Sequence, residues 1–197
     1  MKLRKKFMVC TLAAAMIFGS AMGVCAAENP SLTKDITVTG TGYTAESKIE
    51  ETDSYKAIQE SAPAVAEMIL QVNEGTMEMD AFVEELNKMT EEAGDETVKA
   101  ALEEAAKALE GKTFVTAFVD ITAGEDAEKN EDGKYEITLN VPSLTSQTTN
   151  VMVLHYSTER SVWEVIEPTD VDVDAKTVTA EFEDLSPVAV IADAEAK

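Results

Sequence analysis

Cysteine is nearly missing from this chain of 197 residues: it has 2, Cys10 and Cys25, and both fall within the first 27 positions. The remainder is therefore built without a disulfide, a thiol nucleophile or a thiolate metal site, and its stability rests on packing. Histidine and tryptophan occur once each, as His155 and Trp163. A single imidazole leaves any zinc site almost wholly to carboxylates. A Ser-His-acid triad would need His155 to meet a serine, yet no Gly-x-Ser-x-Gly elbow occurs and its near neighbour in sequence is Ser157. The imidazole reads as a neutral core group satisfied by a hydroxyl or backbone partner. Positive charge is also short, with 16 Lys and Arg against 38 Asp and Glu. That balance argues against nucleic acid and anionic headgroups as partners, because both need a basic surface to displace counterions. Its ordinary use is to keep a protein soluble and unassociated, with binding of cations or of a basic partner as the alternative.

The one long apolar run lies at the start. Lys2, Arg4, Lys5 and Lys6 precede an uncharged, mostly apolar stretch from Phe7 to Gly23, and Val24-Cys25-Ala26-Ala27 follows with small residues. This is the layout of a secretory signal peptide spanning 1–27, cut after Ala26 or Ala27. A permanent membrane helix fits less well, since the run is short and rich in Ala and Gly, so no membrane span is expected after cleavage. Cys25 raises lipid attachment, but Val24 and Met22 stand where a lipoprotein signal wants a small and an aliphatic residue. Removing the leader takes four basic residues and no acid, leaving 12 against 38, a net charge of −26. The remaining chain of about 170 residues is long enough for one good core or two small ones without crosslinks.

Beyond the leader the pattern divides near Lys112. Over 28–112 the apolar residues recur at helical spacing in three sets: Val65, Met68, Ile69 and Val72; Phe82, Val83, Leu86 and Met89; Val98, Leu102, Ala105 and Leu109. Ser61 and Pro63 open the first set, Gly75 follows it, Gly94 ends the second, Asp95 caps the third and Gly111 closes it. Tyr55 to Glu60 adds a short turn. Met68, Met77, Met79 and Met89 read as core fillers; a pliable binding groove is the alternative use of thioethers.

From 113 to 197 the period becomes two, with about six strands expected: Thr113–Thr122, Lys134–Val141, Asn150–Tyr156, Ser161–Ile166, Lys176–Glu183 and Val188–Ala192. Lys134–Val141 alternates cleanly, the pattern of a strand with one wet side. Asn150–Tyr156 and Val115–Ile121 are apolar on both faces and should be covered twice, by a second sheet and by the helices. No Gly-, Pro- or Ser-rich spacer separates the halves. Asp35 to Thr41 is a β-prone stretch without a local partner, and it is expected to join the sheet of the C-terminal half. The fold class is thus α+β: about three helices packed on an antiparallel Ig-like β-sandwich, with a short leading strand.

Candidate sites are few. Glu128, Asn130 and Asp132 alternate before Gly133 as at the opening of a Ca²⁺ loop, but Leu139 stands where the bidentate glutamate is needed. Asp170, Asp172 and Asp174 form a second alternating set. Calcium is the only cofactor these sets suggest; a solvated acidic turn is the alternative for each. Trp163, with Tyr156, is a ligand platform if exposed and a core residue if buried. Paired carboxylates of the glycosidase kind carry no signal in so acidic a chain.

Val153 to Arg160, Trp163 to Ile166, Thr177 to Phe182 and Asp184 to Val190 resemble the β-sandwich module that ends many secreted or cell-surface proteins of Gram-positive anaerobic bacteria. The resemblance covers roughly 113–192 and implies an extracellular setting and a sandwich fold. It carries no catalytic residues. Surface relatives often continue into a sorting motif, an apolar helix and a basic tail; here Ala194-Glu195-Ala196-Lys197 follows, which favours release or retention through a partner. The expectation is a noncatalytic interaction or structural protein, its partner a protein or glycan of the cell surface. An extracellular solute- or calcium-binding protein and an exported hydrolase are the other readings.

Overall fold

The computed structural model describes residues 32–40 and 42–194. The expected signal peptide, with Cys25, and the final residues from Glu195 lie outside them. Strands β1 (Thr37–Thr39) and β2 (Tyr43–Glu46) come first, then a 3-10 turn at Ile49–Glu51. Helices α1 (Asp53–Ser61), α2 (Pro63–Glu74), α3 (Met79–Glu92) and α4 (Glu96–Leu109) follow. The chain continues with β3 (Lys112–Phe114), β4 (Val119–Ala123), β5 (Tyr135–Asn140), β6 (Met152–Ser157) and β7 (Val162–Ile166). It closes with β8 (Asp170–Asp172), β9 (Thr177–Phe182) and β10 (Pro187–Asp193).

Four helices form rather than three, because the expected turn at Tyr55–Glu60 grows into the nine residues of α1. The Thr52 hydroxyl accepts from the Tyr55 amide at 3.2 Å to start it, and buried Tyr55 and Ile58 anchor it. Pro63 sits in the first turn of α2, where its missing N–H costs nothing, and Gly75 ends that helix in the left-handed region at φ 73°. Asp95 accepts from the Thr97 and Val98 amides at 2.8 and 3.2 Å and caps α4.

The strands form two antiparallel sheets. One has the order β1-β5-β9-β8; the other runs β2-β4-β10-β6-β7, with β3 also paired to β10. The leading stretch does join the later strands: β1 pairs with β5, Thr37 opposite Asn140. β2, which the apolar pattern does not announce, pairs with β4. β8 is also unannounced, since all three of its residues are exposed.

The larger sheet lies between two buried clusters. Val153, Val188, Val190, Val119 and Ile121 share one cluster with Ile137, Leu139, Val178 and Phe182 of the smaller sheet. Leu154, Tyr156, Trp163, Ala189 and Ile191 join the other with Ile58, Ile69, Phe82, Leu86 and Leu109 of the helices. The alternation along β6 and β10 therefore sends successive side chains into different cores. This is the double cover that their two-sided apolar pattern requires.

The stretch expected as one strand, Thr113–Thr122, is interrupted. β10 pairs Ile191 with Phe114 but Val188 with Val119, so two extra residues bulge out between β3 and β4. Their backbone groups find partners elsewhere. Val115 and Thr116 amides both donate to the Val190 carbonyl at 2.9 and 3.2 Å, and the Ala117 amide donates to the Thr33 carbonyl at 3.1 Å. Asn73 of α2 serves Phe118 as a strand would, accepting from its amide at 2.7 Å and donating to its carbonyl at 2.9 Å. The Thr116 hydroxyl accepts from the Val190 amide at 2.9 Å. All four amides of the bulge, Val115 to Phe118, are thus bonded, and Asn73 ties α2 to the sheet.

Candidate functional site

The polar groups that the fold gathers lie at the β7 edge of the larger sheet. Tight pairing of β6 with β7 sets His155 directly opposite Glu164, on the side facing the smaller sheet. Ser157 shapes the connecting turn, its hydroxyl accepting from the Arg160 amide at 3.2 Å, and Ser161 adopts a left-handed φ of 56°. The segment between β9 and β10 brings Asp184 and Ser186 to the same place.

His155 is fully buried, its ring 5.5 Å from that of Phe182. Nδ1 lies 3.1 Å from Glu164 Oε2 and Nε2 lies 2.8 Å from Ser186 Oγ. The Ser186 hydroxyl donates to the Tyr156 carbonyl at 2.6 Å, which commits its only hydrogen. Nε2 must therefore donate to Ser186 Oγ. Glu164 is desolvated by burial, which by itself raises its pKa. The His155 hydrogen bond and the Arg160 charge outweigh that and hold the carboxyl below the usual range. Glu164 Oε2 faces the other ring nitrogen, Nδ1, and completes the network around the ring. The sequence led to the expectation of a hydroxyl or backbone partner for the ring, and Ser186 supplies a hydroxyl; Glu164 was not foreseen.

Arg160 closes the cluster from the turn, 2.6 Å from Glu164, 3.6 Å from Glu183 and 3.8 Å from Asp184. Asp184 is 5% exposed; its Oδ2 accepts from the Glu159 amide at 3.3 Å, and its Oδ1 has no hydrogen-bond partner. Two recesses flank the group. One of about 280 Å³ includes Asp184, Leu185, Lys129 and Tyr135, and one of about 310 Å³ runs along β7 past Arg160, Glu164 and Ala105 of α4.

Ser186, His155 and Glu164 are the residue types of a hydrolytic triad in the right sequence of contacts, but the hydrogens run the wrong way. A general base must accept from the serine, whereas here Nε2 donates to it. Both Ser186 and His155 are also wholly buried. As arranged, the set laces β6, β7 and the start of β10 together.

Trp163 and Tyr156 are 2% and 3% exposed, so the exposure that a ligand platform requires is not met at either. The Trp163 ring packs within the helix-facing core, its centroid 5.0 Å from those of Phe82 and Tyr156 and 5.7 Å from that of Phe118. Burial pushes the Tyr156 phenol up, against a lowering hydrogen bond with Ser161.

In each of the two acidic sets one member is engaged in a turn. Asn130 Oδ1 accepts from the Asp132 and Lys134 amides at 3.1 and 2.9 Å, and its amide donates to Glu181 at 2.8 Å, so its side chain is taken up in closing a turn. Glu128 and Asp132 are exposed. Asp172 Oδ1 accepts from the Asp174 and Ala175 amides at 2.9 and 2.8 Å, the same device, while Asp170 and Asp174 are exposed. Among the described residues, the one set of His, Cys, Asp or Glu with three ligand atoms gathered within 4.8 Å of one another is His155, Glu164 and Asp184. Sequence spacing missed it because its members lie on two strands and a connection. The available signal was His155 itself, placed where an apolar residue is expected.

No family model, curated protein or solved structure matches the chain. No described helix is long and apolar enough to cross a membrane.

Proposed function

We propose that this chain is a noncatalytic interaction or structural module working outside the cell, exported by its first 27 residues and presenting an Ig-like sandwich to a protein or glycan of the cell surface. The observation that carries the reading is the fate of the reactive side chains: the single histidine and its serine are buried and bonded inward. The net charge of −26 expected after export adds support, since it disfavours self-association. The sequence resemblance to secreted Gram-positive modules points the same way.

The test has two arms. Expressed in a Gram-positive host with its leader, the protein is expected in the medium or on the cell surface with an N-terminus near Glu28 by mass spectrometry; cytosolic protein with an intact leader sinks the export claim. The purified protein is then assayed on ester, peptide and glycoside substrates beside Ser186→Ala. Turnover that the substitution abolishes would establish an exported hydrolase instead.

A further inference from the structure

We propose that His155, Glu164 and Asp184 form a binding site for a divalent transition-metal ion, zinc being the best match, with Arg160 as the internal cation that the ion displaces. Tetrahedral zinc, with bonds of about 2.0–2.2 Å, spaces its ligand atoms roughly 3.4 Å apart. The three side chains already hold their ligand atoms within 4.8 Å of one another, so modest rotamer shifts complete the geometry.

Three further observations favour an ion. Asp184 Oδ1 is a buried acceptor without a hydrogen bond, the kind of group that a native structure rarely leaves unanswered. It lies 3.8 Å from the Arg160 guanidinium, and Asp184 brings a carboxylate oxygen within 4.8 Å of the His155 and Glu164 ligand atoms. His155 has the outer bonding expected of a metal ligand: Nε2 donates to Ser186 Oγ, which is itself fixed by the Tyr156 carbonyl, and this orients the ring with Nδ1 toward Glu164. Arg160 marks where positive charge is already accepted. Its guanidinium reaches the same two acids and Glu183 besides, yet its side chain is 43% exposed and sits on a turn, with solvent beside it.

The exchange balances. Nδ1 binds the ion through its lone pair, any hydrogen it carries leaving to solvent as a proton; one oxygen from each carboxylate binds as well, and the two negative charges neutralise the ion's two positive ones. Water fills the fourth position, reached from the recess along β7. An imidazole among the ligands selects zinc over calcium or magnesium, which take oxygen donors.

The chain has one histidine, so its ring nitrogen signals in a ¹⁵N spectrum are unambiguous. Zinc chloride added to the folded protein is expected to shift Nδ1 strongly, with magnesium and calcium chlorides leaving it in place. Arg160→Gln removes the competing cation and is expected to tighten zinc binding at least tenfold, and Asp184→Asn to weaken it at least tenfold. Ring signals unmoved by millimolar zinc in both the wild type and Arg160→Gln, with amide dispersion intact, overturn the proposal. Zinc bound only at surface carboxylates, seen as heat without a ring shift, overturns it equally. Should Asp184→Asn fail to fold, the comparison of wild type with Arg160→Gln decides alone.

Discussion

Asp120 on β4 is fully buried, faces the first turn of α1, and has no hydrogen-bond partner for either carboxylate oxygen. Desolvation raises its pKa; the Thr52 and Ser54 hydroxyls nearby counter this in part, while Asp53 adds to it. Because the folded state holds the proton more tightly than the unfolded chain, this group favours folding below the unfolded pKa of about 3.9. That contribution is lost as pH rises through the higher folded value. Asp120→Asn removes the charge and keeps the shape, and its amide can donate to the two hydroxyls. An unsatisfied buried polar group costs about 1–3 kcal/mol, so the variant is expected to gain roughly 1–2 kcal/mol near pH 7.5. For a chain of this size that raises the melting temperature by about 3–6 °C. Urea unfolding of both proteins from pH 4 to 8 should give curves that nearly coincide at the acid end and separate toward neutrality. An Asn variant no more stable than wild type at pH 7.5, or a gap widest at pH 4, refutes the reasoning.

Three other substitutions probe different joints. Asn73→Ala strips both bonds from the Phe118 backbone and should cost about 2 kcal/mol in urea unfolding; a loss below 0.5 would mean, by the same order-of-magnitude scale, that water replaces the side chain. Gly42→Ala places a Cβ 2.6 Å from the Ala127 amide nitrogen at a φ of +91°, so a loss of about 1–3 kcal/mol is expected, and a neutral result would show that the 124–128 loop yields freely. Ser186→Ala leaves the His155 Nε2–H buried without an acceptor and should cost about 1–3 kcal/mol. Unchanged stability there would argue that the ring rotates to another partner.

Much of the architecture can be read from local pattern, because burial on one or both faces writes itself into a strand as alternation or its absence. β5 and β6 are the two cases, one alternating and one apolar on both sides. The interrupted strand between β3 and β4 could not be foreseen, since nothing within Val115–Phe118 says that its amides will bond to Thr33, Asn73 and Val190. β8 escaped because an exposed edge strand needs no apolar side chain, and Asp170-Val171-Asp172 looks like a solvated turn. The cluster around His155 was invisible for a similar reason: Ser186 lies 31 positions away, and Glu164 meets the ring only through the register that the Ser161 turn imposes. Regular acidic spacing drew attention instead to Asn130 and Asp172, whose oxygens serve backbone amides in turns.

The middle strand of the larger sheet, β10, is encoded last, while the edge strands β1 and β2 of the two sheets are encoded first. A growing or threading chain therefore cannot assemble this sheet until residues near 190 arrive, and the helices, whose apolar faces rest on that sheet, must wait in a looser form. Such distant pairing slows folding. Deleting β10 would unseat both cores at once, a far larger injury than losing a peripheral strand of equal size.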